Sequence, residues 1–421
     1  MDAIVYSALE QAHAAARPDS LLLRQALDCA AGQEWRRAHD LLQIALRQPT
    51  DRRRAHFLLW EVCQALGHPA VAMANLHAVL RDGPLSSRPS AAPRRRVLAL
   101  AVPGDFQANL PLGTLLDPAG TELHTLWISD PDWILGNPCD PPAVFLGDPP
   151  PFDCVFVTIA EDARHAAALR AADRLVAALG RPAINCGARI AALSRAGAAA
   201  LLEDLPGAVV PAQHLVTRDA LESGTAPGLA GRFIIRPDAS HAGRDLTRID
   251  DPAALEQYLA RVPGERFCIA PFIDFRSPDG FWRKYRVIFV DGRPLPFHLA
   301  IHDDWAIWYY NAQMDRDAWK REEEARFVAD LAAAFPEPAL AALQAIARRV
   351  RLDYFGVDCG VMPDGRLVVF EIETGMLVHD WDPPDLYPYR RGAVQAIRRA
   401  TEAMIDACIA ASRGADYIPL G

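Results

Sequence analysis

Residues 352–380 read LDYFGVDCGVMPDGRLVVFEIETGMLVHD. Within this stretch, 354–361 and 366–372 are apolar and rich in residues that favour β-strands. Between them lies Met-Pro-Asp-Gly, a combination typical of tight turns. We therefore predict a β-hairpin with its turn at Asp364 and Gly365.

The position of this turn sets the register of the two strands. It places Asp358 directly opposite Glu371, and side chains of cross-strand partners share one face about 5 Å apart. Glu373 follows two residues later and points to the same side. The hairpin is therefore predicted to gather three carboxylates on one face.

The apolar residues of the hairpin distinguish a cleft from an open surface. The face opposite the acids is predicted to carry Val357, Cys359, Val368, Phe370 and Ile372, while Leu367 and Val369 share the acidic face. A solvent-facing edge hairpin would also carry acids, but apolar neighbours favour the lining of a cleft. Packed carboxylates repel one another and are costly to desolvate, and a hard cation such as Mg²⁺ or Mn²⁺ relieves both effects. The residues alone thus favour a metal site at Asp358, Glu371 and Glu373.

The order Asp358, Glu371, Glu373, followed by Thr374 and Gly375, resembles the metal-binding end of the ATP-grasp superfamily. D-alanine–D-alanine ligases, glutathione synthetases and ribosomal-protein glutamate ligases belong to it. The third ligand in that family is usually Asn, so Glu373 is a departure. The resemblance covers about residues 95–412. It implies an α/β ATP-grasp fold preceded by a small parallel α/β domain, with ATP and two Mg²⁺ or Mn²⁺ ions as cofactors.

Composition limits the class of protein. The chain has 421 residues, 51% hydrophobic residues, 23% charged residues and a net charge of −9, which indicates a globular protein and argues against a nucleic-acid binder. Its eight cysteines form no CxxC pair, so neither a zinc site nor a disulfide framework is indicated. No secretory signal or membrane-spanning stretch is evident. We expect a cytoplasmic protein, with a homodimer among the alternatives for its oligomeric state.

The first 84 residues predict an all-α domain. They are rich in Ala, Leu and Arg, and Gly32 and Gly67, as well as Ala38 and Ala72, are separated by about 34 residues. This period predicts tetratricopeptide-like helix pairs that dock a protein or peptide partner, with a plain helical bundle as the alternative. Residues 85–95 are rich in Pro and Ser and are predicted to be a linker.

Alternating strand and helix patterns then predict two further domains. Buried-strand patterns at 96–102, 122–129 and 153–159, a helix at 162–179 and a short strand at 182–186 predict a parallel α/β domain over 96–188. Residues 189–421 are predicted to form the nucleotide-binding and catalytic domain. No GxGxxG motif follows Gly104, so no dinucleotide site is predicted.

The resemblance assigns roles to residues of the last domain. Arg195 stands where the family has a phosphate-binding Lys, and Arg236 replaces a second such Lys at the end of the strand 233–237. The following loop supplies Ser240, His241 and Gly243, whose backbone N–H groups would cradle phosphates. The full predicted nucleotide set is Arg195, Arg236, Ser240, His241, Gly243, Phe272, Ile273, Lys284 and Arg286, with Phe272 and Ile273 in the adenine hinge.

Arg286 and Arg236 are the predicted catalytic residues. Arg286 matches the family's phosphate-contacting arginine, and Lys284 projects to the same face of its strand, where a solvated basic strip is an equal alternative. Asp274 and Asp279 are both candidates for the acid that holds the ribose. The aromatic residues at 305–310 are interpreted as core or interface residues rather than as a substrate pocket.

The resemblance implies an ADP-forming ligase that joins a carboxylate to an amine through an acyl phosphate. Its substrates would be small-molecule or peptide carboxylates and amines. Two alternatives remain: a phosphotransferase on the same fold, and a non-catalytic ATP-sensing scaffold that binds a partner through its N-terminal helices.

Overall fold

A computed structural model describes residues 20–48, 51–137, 150–238, 240, 243–309 and 311–413. The α-helices are α1 (Leu21–Ala31), α2 (Trp35–Ala45), α3 (Arg52–Ala65), α4 (Pro69–Arg81), α5 (Pro131–Gly136), α6 (Ala166–Leu179), α7 (Gly187–Ala191), α8 (Arg195–Leu201), α9 (Arg218–Glu222), α10 (Pro252–Arg261), α11 (Ala318–Ala329), α12 (Leu331–Ala334), α13 (Glu337–Val350) and α14 (Arg390–Arg413). The strands are β1 (Leu85–Arg88), β2 (Arg95–Ala101), β3 (Thr121–Trp127), β4 (Cys154–Val157), β5 (Ala183–Ile184), β6 (Ala208–Val209), β7 (His214–Thr217), β8 (Phe233–Pro237), β9 (Thr247–Ile249), β10 (Arg266–Pro271), β11 (Trp282–Val290), β12 (Arg293–His302), β13 (Tyr354–Val361) and β14 (Leu367–Glu373). Short 3₁₀ helices lie at Leu112–Leu115 and Ala163–His165. This is the predicted mixed α/β class with an N-terminal helical part.

The N-terminal helices pack as two consecutive pairs, α1 with α2 and α3 with α4. Their shared core contains Leu27, Leu42 and Leu59, which are nearly or fully buried. The same core includes Ala101 and Trp127, which belong to the sheet of the next domain. The helices therefore lie directly against that sheet. Their interpretation as tetratricopeptide-like repeats stays a prediction.

The first sheet has the strand order β1-β3-β2-β4-β5. Strands β2 to β5 pair in parallel, as the alternating pattern predicts. Strand β1 pairs antiparallel with β3 and forms the edge of the sheet. Part of the segment 85–95, which composition predicts to be a linker, is thus a strand of this sheet. The division of the chain at residues 84, 95 and 188 stays a prediction.

Two further antiparallel sheets follow. The smaller one has the order β7-β10-β8-β9 and encloses its own core, in which Ile235, Tyr258 and Phe267 are buried. The larger one has the order β12-β11-β13-β14-β6, with only the short strand β6 pairing in parallel. Helices α13 and α14 both contact this larger sheet.

The larger sheet and the first domain share their packing. One buried cluster joins Val155 of β4 to Val287 of β11, and a second joins Phe156 of β4 to Ile288 of β11 and Val394 of α14. Polar contacts reinforce this union. Arg95 donates two hydrogen bonds to the carboxylate of Asp406 in α14, at 2.7 and 2.8 Å.

Two β-bulges interrupt the larger sheet. In the β11–β12 pair, Arg286 lies opposite His298 but Val287 lies opposite Pro296, so Phe297 is an extra residue. In the β13–β14 pair, Asp358 lies opposite Glu371 but Cys359 lies opposite Val369, so Phe370 is extra. A bulge turns the following side chains to the other face of a strand.

The second bulge changes which residues line the acidic face. The predicted pairing of Asp358 with Glu371 is confirmed, but the faces predicted nearer the turn are wrong. Leu367 and Val369 lie in the buried core with Cys359, whereas Val368 and Phe370 approach Gly360 on the side of Asp358. Next to the turn the strands pair one residue out of the predicted register, with Val361 opposite Leu367, and the extra residue Phe370 restores that register at Asp358.

Within the described ranges, every helix is too short or too polar to cross a lipid bilayer.

Candidate active site

Four ionisable side chains form one row across the larger sheet. His298 on β12 lies opposite Arg286 on β11, Arg286 lies opposite Asp358 on β13, and Asp358 lies opposite Glu371 on β14. Side chains of successive partners in such a row lie about 5 Å apart on one face. The row is therefore a continuous polar strip on an otherwise apolar sheet, and the two bulges are what bring its ends into line.

Asp358 is fully buried and ion-paired at the centre of this row. Arg286 donates two hydrogen bonds to its carboxylate, at 2.8 and 2.9 Å, and the Nζ of Lys284 lies 2.7 Å from Oδ2. Burial opposes ionisation of Asp358, but the two cations outweigh it and hold the pKa of the carboxyl well below its usual range. Lys284 and Arg286 share a face, as predicted, and that face is occupied by Asp358 rather than by solvent.

A cavity of about 420 Å³ lies above the row. Its size is in the range of small-molecule sites. Lys284, Arg286, Glu371 and Glu373 line it, and the apolar side chains Val368 and Phe370 stand beside the acids. The predicted cleft is thus present.

Glu373 is the unusual carboxylate of this cavity. Burial, and then the neighbouring charge of Glu371, raises its pKa to about 7. The backbone N–H of Gly375 donates a hydrogen bond to its Oε1 at 3.0 Å, which offsets part of this shift. Burial and the nearby acid therefore make Glu373 much easier to protonate than an ordinary glutamate.

Two of the predicted phosphate-binding arginines line the same cavity. Arg195 is the first residue of α8, where the N-cap Ser194 fixes the start of the helix. Its guanidinium donates to the backbone carbonyls of Asp238 and Ser240, at 3.4 and 3.3 Å, while its Nε is buried without a hydrogen-bond partner. Arg236 projects from β8 into the cavity wall.

The loop after β8 holds the remaining residues predicted to contact phosphate, of which Gly243 lines the cavity and Ser240 does not. Gly243 lines the cavity with a φ of +70°, a conformation that favours glycine. A Cβ at this position would lie 3.4 Å from the Trp308 ring. Ser240 is buried and its hydroxyl donates to the carbonyl of Pro237 at 2.8 Å. His241 lies outside the described residues.

The predicted hinge residues Phe272 and Ile273 line the cavity where β10 has just ended. The ring of Phe272 packs edge-on against Trp305 at 5.5 Å, and the guanidinium of Arg248 lies over the Phe272 ring, 5.0 Å from its centroid. Trp305, Trp308 and Tyr309 also line the cavity. Tyr309 also packs against the buried core, so these aromatics combine the two alternatives, core residue and cavity wall.

Neither acid predicted as an alternative ribose ligand is in the cavity wall. Asp279 forms an ion pair with Arg283 at 2.7 Å, and Asp274 lies 3.6 Å from Arg276. Among the described lining residues, Gln107 and Gln213 are the neutral polar side chains near the arginines. The role of the ribose ligand stays open to experiment.

Three further groups lie in the cavity wall. The sequence predicts that the stretch containing His379 and Arg390 is the acceptor-side wall of the site, whereas His298 was missed. His298, His379 and Arg390 all line the cavity. Arg390 is 2% exposed and pairs with Glu324 at 2.6 Å and Asp382 at 3.0 Å. His298 was hidden because a regular hairpin around Asp291 and Gly292 would place Phe297, not His298, opposite Arg286.

Glu161 is a second missed residue and lies where the first domain meets the hairpin. Its backbone N–H donates to the hydroxyl of Thr374 at 3.2 Å. Burial, and then Asp162, raises the pKa of its side chain to about 7. Its charge in turn contributes to the raised pKa of Glu373.

The donor chemistry fits a divalent cation at Glu371 and Glu373. These two carboxylates line one cavity, and a cation would relieve the repulsion that helps to raise the pKa of Glu373. Asp358 differs, because Arg286 and Lys284 already neutralise it. As the described side chains stand, no three of His, Cys, Asp or Glu are grouped closely enough to hold a metal ion.

No protein-family model matches this chain, and no curated protein matches it. Several solved structures resemble it at low identity. A RimK domain ATP-grasp protein from Sphaerobacter thermophilus is 17% identical over 74% of this chain and 99% of its own, with a TM-score of 0.43. The D-alanine–D-alanine ligase of Coxiella burnetii is 12% identical over 74% and 97%, with a TM-score of 0.39. The ATP-grasp ligase PsnB, complexed with precursor peptide PsnA2 and AMPPNP, is 14% identical over 74% and 99%, with a TM-score of 0.41. Likenesses at this level do not assign an activity or a ligand to the chain.

Proposed function

We propose that the protein is an ATP-dependent ligase that joins a carboxylate to an amine and releases ADP and phosphate. The carrying observation is the row of His298, Arg286, Asp358 and Glu371 at the floor of a cavity that Arg195 and Arg236 also line. It places cations beside carboxylates in one enclosed site. The order of these residues in the chain supports the proposal, because it matches the ATP-grasp pattern.

Three arginines and a lysine suit the binding of a polyphosphate. Arg195, Arg236, Lys284 and Arg286 all line the cavity. Arginine presents a planar fork of donors to phosphate oxygens, so the replacement of the family's lysines keeps the binding chemistry. The unpartnered Nε of Arg195 leaves a donor for such a ligand. The adenine base would lie against Phe272 and Ile273, at the end of β10.

Glu371 and Glu373 would hold the divalent cation, with Asp358 as a third ligand once a nucleotide draws Lys284 or Arg286 away from it. Mg²⁺ in such sites neutralises charge on phosphate oxygens and aligns them. The predicted number of two ions rests on the family resemblance.

The chemistry that follows needs mainly alignment and charge neutralisation. A carboxylate oxygen of the first substrate would attack the γ-phosphorus of ATP, which breaks the bond to ADP and forms an acyl phosphate. The amine would then attack the acyl carbon, lose a proton and expel phosphate. Arg286 would stabilise the transferring group because it stands at the centre of the row, and the enclosed cavity would keep water from the acyl phosphate.

The test measures binding and turnover separately. Calorimetry with AMPPNP and Mg²⁺ reports nucleotide binding, and ADP release with mass detection of products reports ligation across a panel of carboxylate and amine pairs. Saturable AMPPNP binding with amide product supports the ligase. Binding without turnover on any pair would favour the ATP-sensing scaffold, and a phosphorylated product without an amide would favour the phosphotransferase. Absence of AMPPNP binding would contradict all three.

Two arginines in and beside β8 provide a matched comparison of nucleotide binding. Arg236→Ala should weaken AMPPNP binding about tenfold or more, whereas Arg236→Lys should retain more of it, because a charge aimed at phosphate is preserved. Arg232→Ala is the control. Arg232 is exposed and pairs with Asp250 at 3.4 Å, away from the cavity wall. Equal binding by the Arg236→Ala and Arg232→Ala variants would remove Arg236 from the site.

A further inference from the structure

Two histidines in the cavity wall play no part in the steps above. His298 is 6% exposed and His379 is half-buried. The Nδ1 atom of each ring is buried without a hydrogen-bond partner. Buried polar atoms in folded proteins are nearly always hydrogen-bonded, so two unpartnered imidazoles in one cavity point to a ligand that completes them.

Aromatic neighbours hold both rings in place. His379 stacks on Trp381 at a centroid distance of 4.3 Å and an angle of 13°, and the edge of Phe297 lies 5.8 Å away. His298 packs against Tyr309 at 5.1 Å. Rings that are fixed in this way lose little conformational entropy when a ligand binds. Such rings favour recognition of one chemical group in one orientation.

The charges around the two rings favour an anion. Burial, and then Arg390 and Arg286, lowers the pKa of His379 to about 3, and burial with the same two arginines lowers the pKa of His298 well below its usual range. Both imidazoles are therefore neutral, and each has one N–H to donate. A positive environment of this kind repels an ammonium group and attracts a carboxylate.

The facing carboxylates are paired with these same cations, so the preference for an anion rests on the effect that Arg390 and Arg286 have on the two rings. Asp358 is held by Arg286 and Lys284. Glu324 and Asp382 are held by Arg390, and Tyr389 donates to Glu324 at 2.6 Å. Glu371 and Glu373 lie in the same cavity, but in the row Glu371 is separated from His298 by Arg286 and Asp358.

The place of His298 in the row selects the group that it binds. It is the direct cross-strand partner of Arg286, about 5 Å away, on the side opposite to Glu371. A phosphate group bound over Arg286 and Glu371 would thus have His298 next to the oxygen that lies farthest from Glu371. The chemical group required at that position is the carboxylate that accepts the phosphoryl group.

We propose that His298 and His379 bind the carboxylate of the first substrate by N–H donation and select it over the corresponding amide. This inference rests on the proposed ligase function for the identity of the acceptor, but the binding site is defined without turnover. The two residues are specificity-determining residues. Beside them, the guanidinium of Arg390 lies 4.6 Å from the Tyr309 ring that packs on His298.

The experiment compares propionate with propionamide, which has the same shape without the charge. Binding to the full chain is measured by ligand-observed NMR, with and without Mg²⁺ and AMPPNP. We expect saturable binding of propionate and at least about tenfold weaker binding of propionamide. The inference is overturned if propionate does not bind in either state, if propionamide binds equally well, or if AMPPNP displaces propionate, since the subsite would then belong to the nucleotide phosphates.

Variants separate hydrogen bonding from packing. His298→Phe and His379→Phe keep an aromatic ring but lose the N–H, and each should weaken propionate binding about tenfold. His298→Gln restores a donor and should remain within about threefold of the wild type. His302→Gln is the control on the same strand, because His302 pairs with Asp303 at 2.8 Å and does not line the cavity. Unchanged propionate binding in both folded Phe variants would overturn the inference.

The same samples report on the proposed function independently. Binding of AMPPNP without propionate binding would reject the histidine subsite and leave the nucleotide site intact. Binding of propionate without AMPPNP binding would reject the nucleotide site and leave the histidine subsite intact.

Discussion

The guanidinium of Arg286 and the carboxylate of Asp358 face each other across two neighbouring strands and share two hydrogen bonds, at 2.8 and 2.9 Å. Asp358 has no exposed surface. Removal of one partner leaves a buried charge without its main counter-ion, which typically costs about 3–5 kcal/mol, whereas replacement of both partners by apolar residues is often neutral.

We expect Arg286→Met to lower the free energy of unfolding by about 3 kcal/mol or more, and the double variant Arg286→Met/Asp358→Leu to recover most of that loss. Urea unfolding of the two single variants and the double variant measures the coupling. Additive losses in the double variant would show that the pair is not energetically linked.

Glu371 and Glu373 are expected to differ in importance for turnover. Glu371→Gln should nearly abolish ADP release, because Glu371 belongs to the central row. Glu373→Asn should retain substantial activity, since the amide is still an oxygen ligand and the repulsion between the two acids is removed. ADP release at varied Mg²⁺ and Mn²⁺, with folding checked by circular dichroism, is the measurement. Full activity of Glu371→Gln would exclude this face as the metal site.

The raised pKa of Glu373 gives the metal affinity a pH dependence. Its pKa of about 7 means that Mg²⁺ must displace a proton at and below neutral pH, so apparent affinity should fall as pH falls from about 8 to 6. Glu373→Asn cannot take up that proton and should flatten the profile in this window. Calorimetric titration of Mg²⁺ in the presence of AMPPNP measures both. A profile of the same slope in the variant would assign the proton to another group.

Glu61 in α3 is expected to destabilise the helical part at neutral pH. It is 1% exposed, and both carboxylate oxygens are buried without a hydrogen-bond partner. Burial raises its pKa well above 4.5, so the folded state binds a proton that the unfolded state releases as pH rises above that value. The associated stability is present below pH 4.5 and is lost progressively as pH rises.

Glu61→Met should therefore raise the free energy of unfolding at pH 8 by about 1–3 kcal/mol, with a gain that shrinks towards pH 4.5. Glu61→Gln serves as the control, because it removes the titration but keeps an unsatisfied polar group. Thermal and urea unfolding between pH 4.5 and 8 provide the measurement. A gain that does not change with pH would show that the carboxyl is not the source.

Gly356 on β13 is expected to tolerate no side chain. A Cβ there would overlap the side chain of Met376, so Gly356→Ala should lower stability by about 1–3 kcal/mol. Met376→Ala removes the Sδ and Cγ atoms that this Cβ would overlap but keeps its own Cβ, so it should partly rescue the Gly356→Ala variant. Gly392→Ala is the matched control: no atom lies within 4 Å of its Cβ position, and it lies in α14, where alanine favours the helix. Equal stability of Gly356→Ala and wild type would contradict the close packing.

Truncation at Arg94 should destabilise the remainder of the chain. Such a truncation removes β1 and the helices that cover Ala101 and Trp127. It also removes Ser86, whose hydroxyl accepts a hydrogen bond from the Trp127 indole at 3.0 Å. A chain starting at Arg94 should aggregate or melt at lower temperature, and a chain starting at Asp82 should do so less because it keeps β1. Size-exclusion chromatography and thermal melts compare the two, and equal melting temperatures would show that the edge strand contributes nothing.

The elements of the site could be predicted from the sequence, but their alignment could not. Strand propensity and the turn at Asp364 and Gly365 place Asp358 opposite Glu371, and the structure agrees. The extra residues Phe297 and Phe370 leave no signal in an apolar alternation, because either face of the sheet accepts a phenylalanine. His298 could therefore not be placed beside Arg286, and Val368 could not be placed in the cavity.

The edge strand β1 could not be predicted from composition, for a different physical reason. Residues 85–88, Leu-Ser-Ser-Arg, have little apolar character, and the surrounding prolines are typical of a loop. An edge strand needs hydrogen-bond partners along one side and only modest burial, so polar residues are acceptable there. The pairing with β3 depends on a neighbouring strand that lies far along the chain, which no local pattern reports.

The separate core of the four-stranded sheet gives the cavity one movable wall. The first domain and the larger sheet share two buried clusters and the Arg95–Asp406 contact, so they resist any relative displacement. Within the described residues, the sheet β7-β10-β8-β9 has a buried cluster of its own, is joined to α8 by the hydrogen bonds from Arg195 to Asp238 and Ser240, and carries Arg236. Opening for nucleotide exchange would then be a hinged swing of this small lobe alone. In the proposed ligase, ATP would enter and ADP would leave by this displacement, while His298, Arg286 and Glu371, which lie on one sheet, would keep their positions relative to one another.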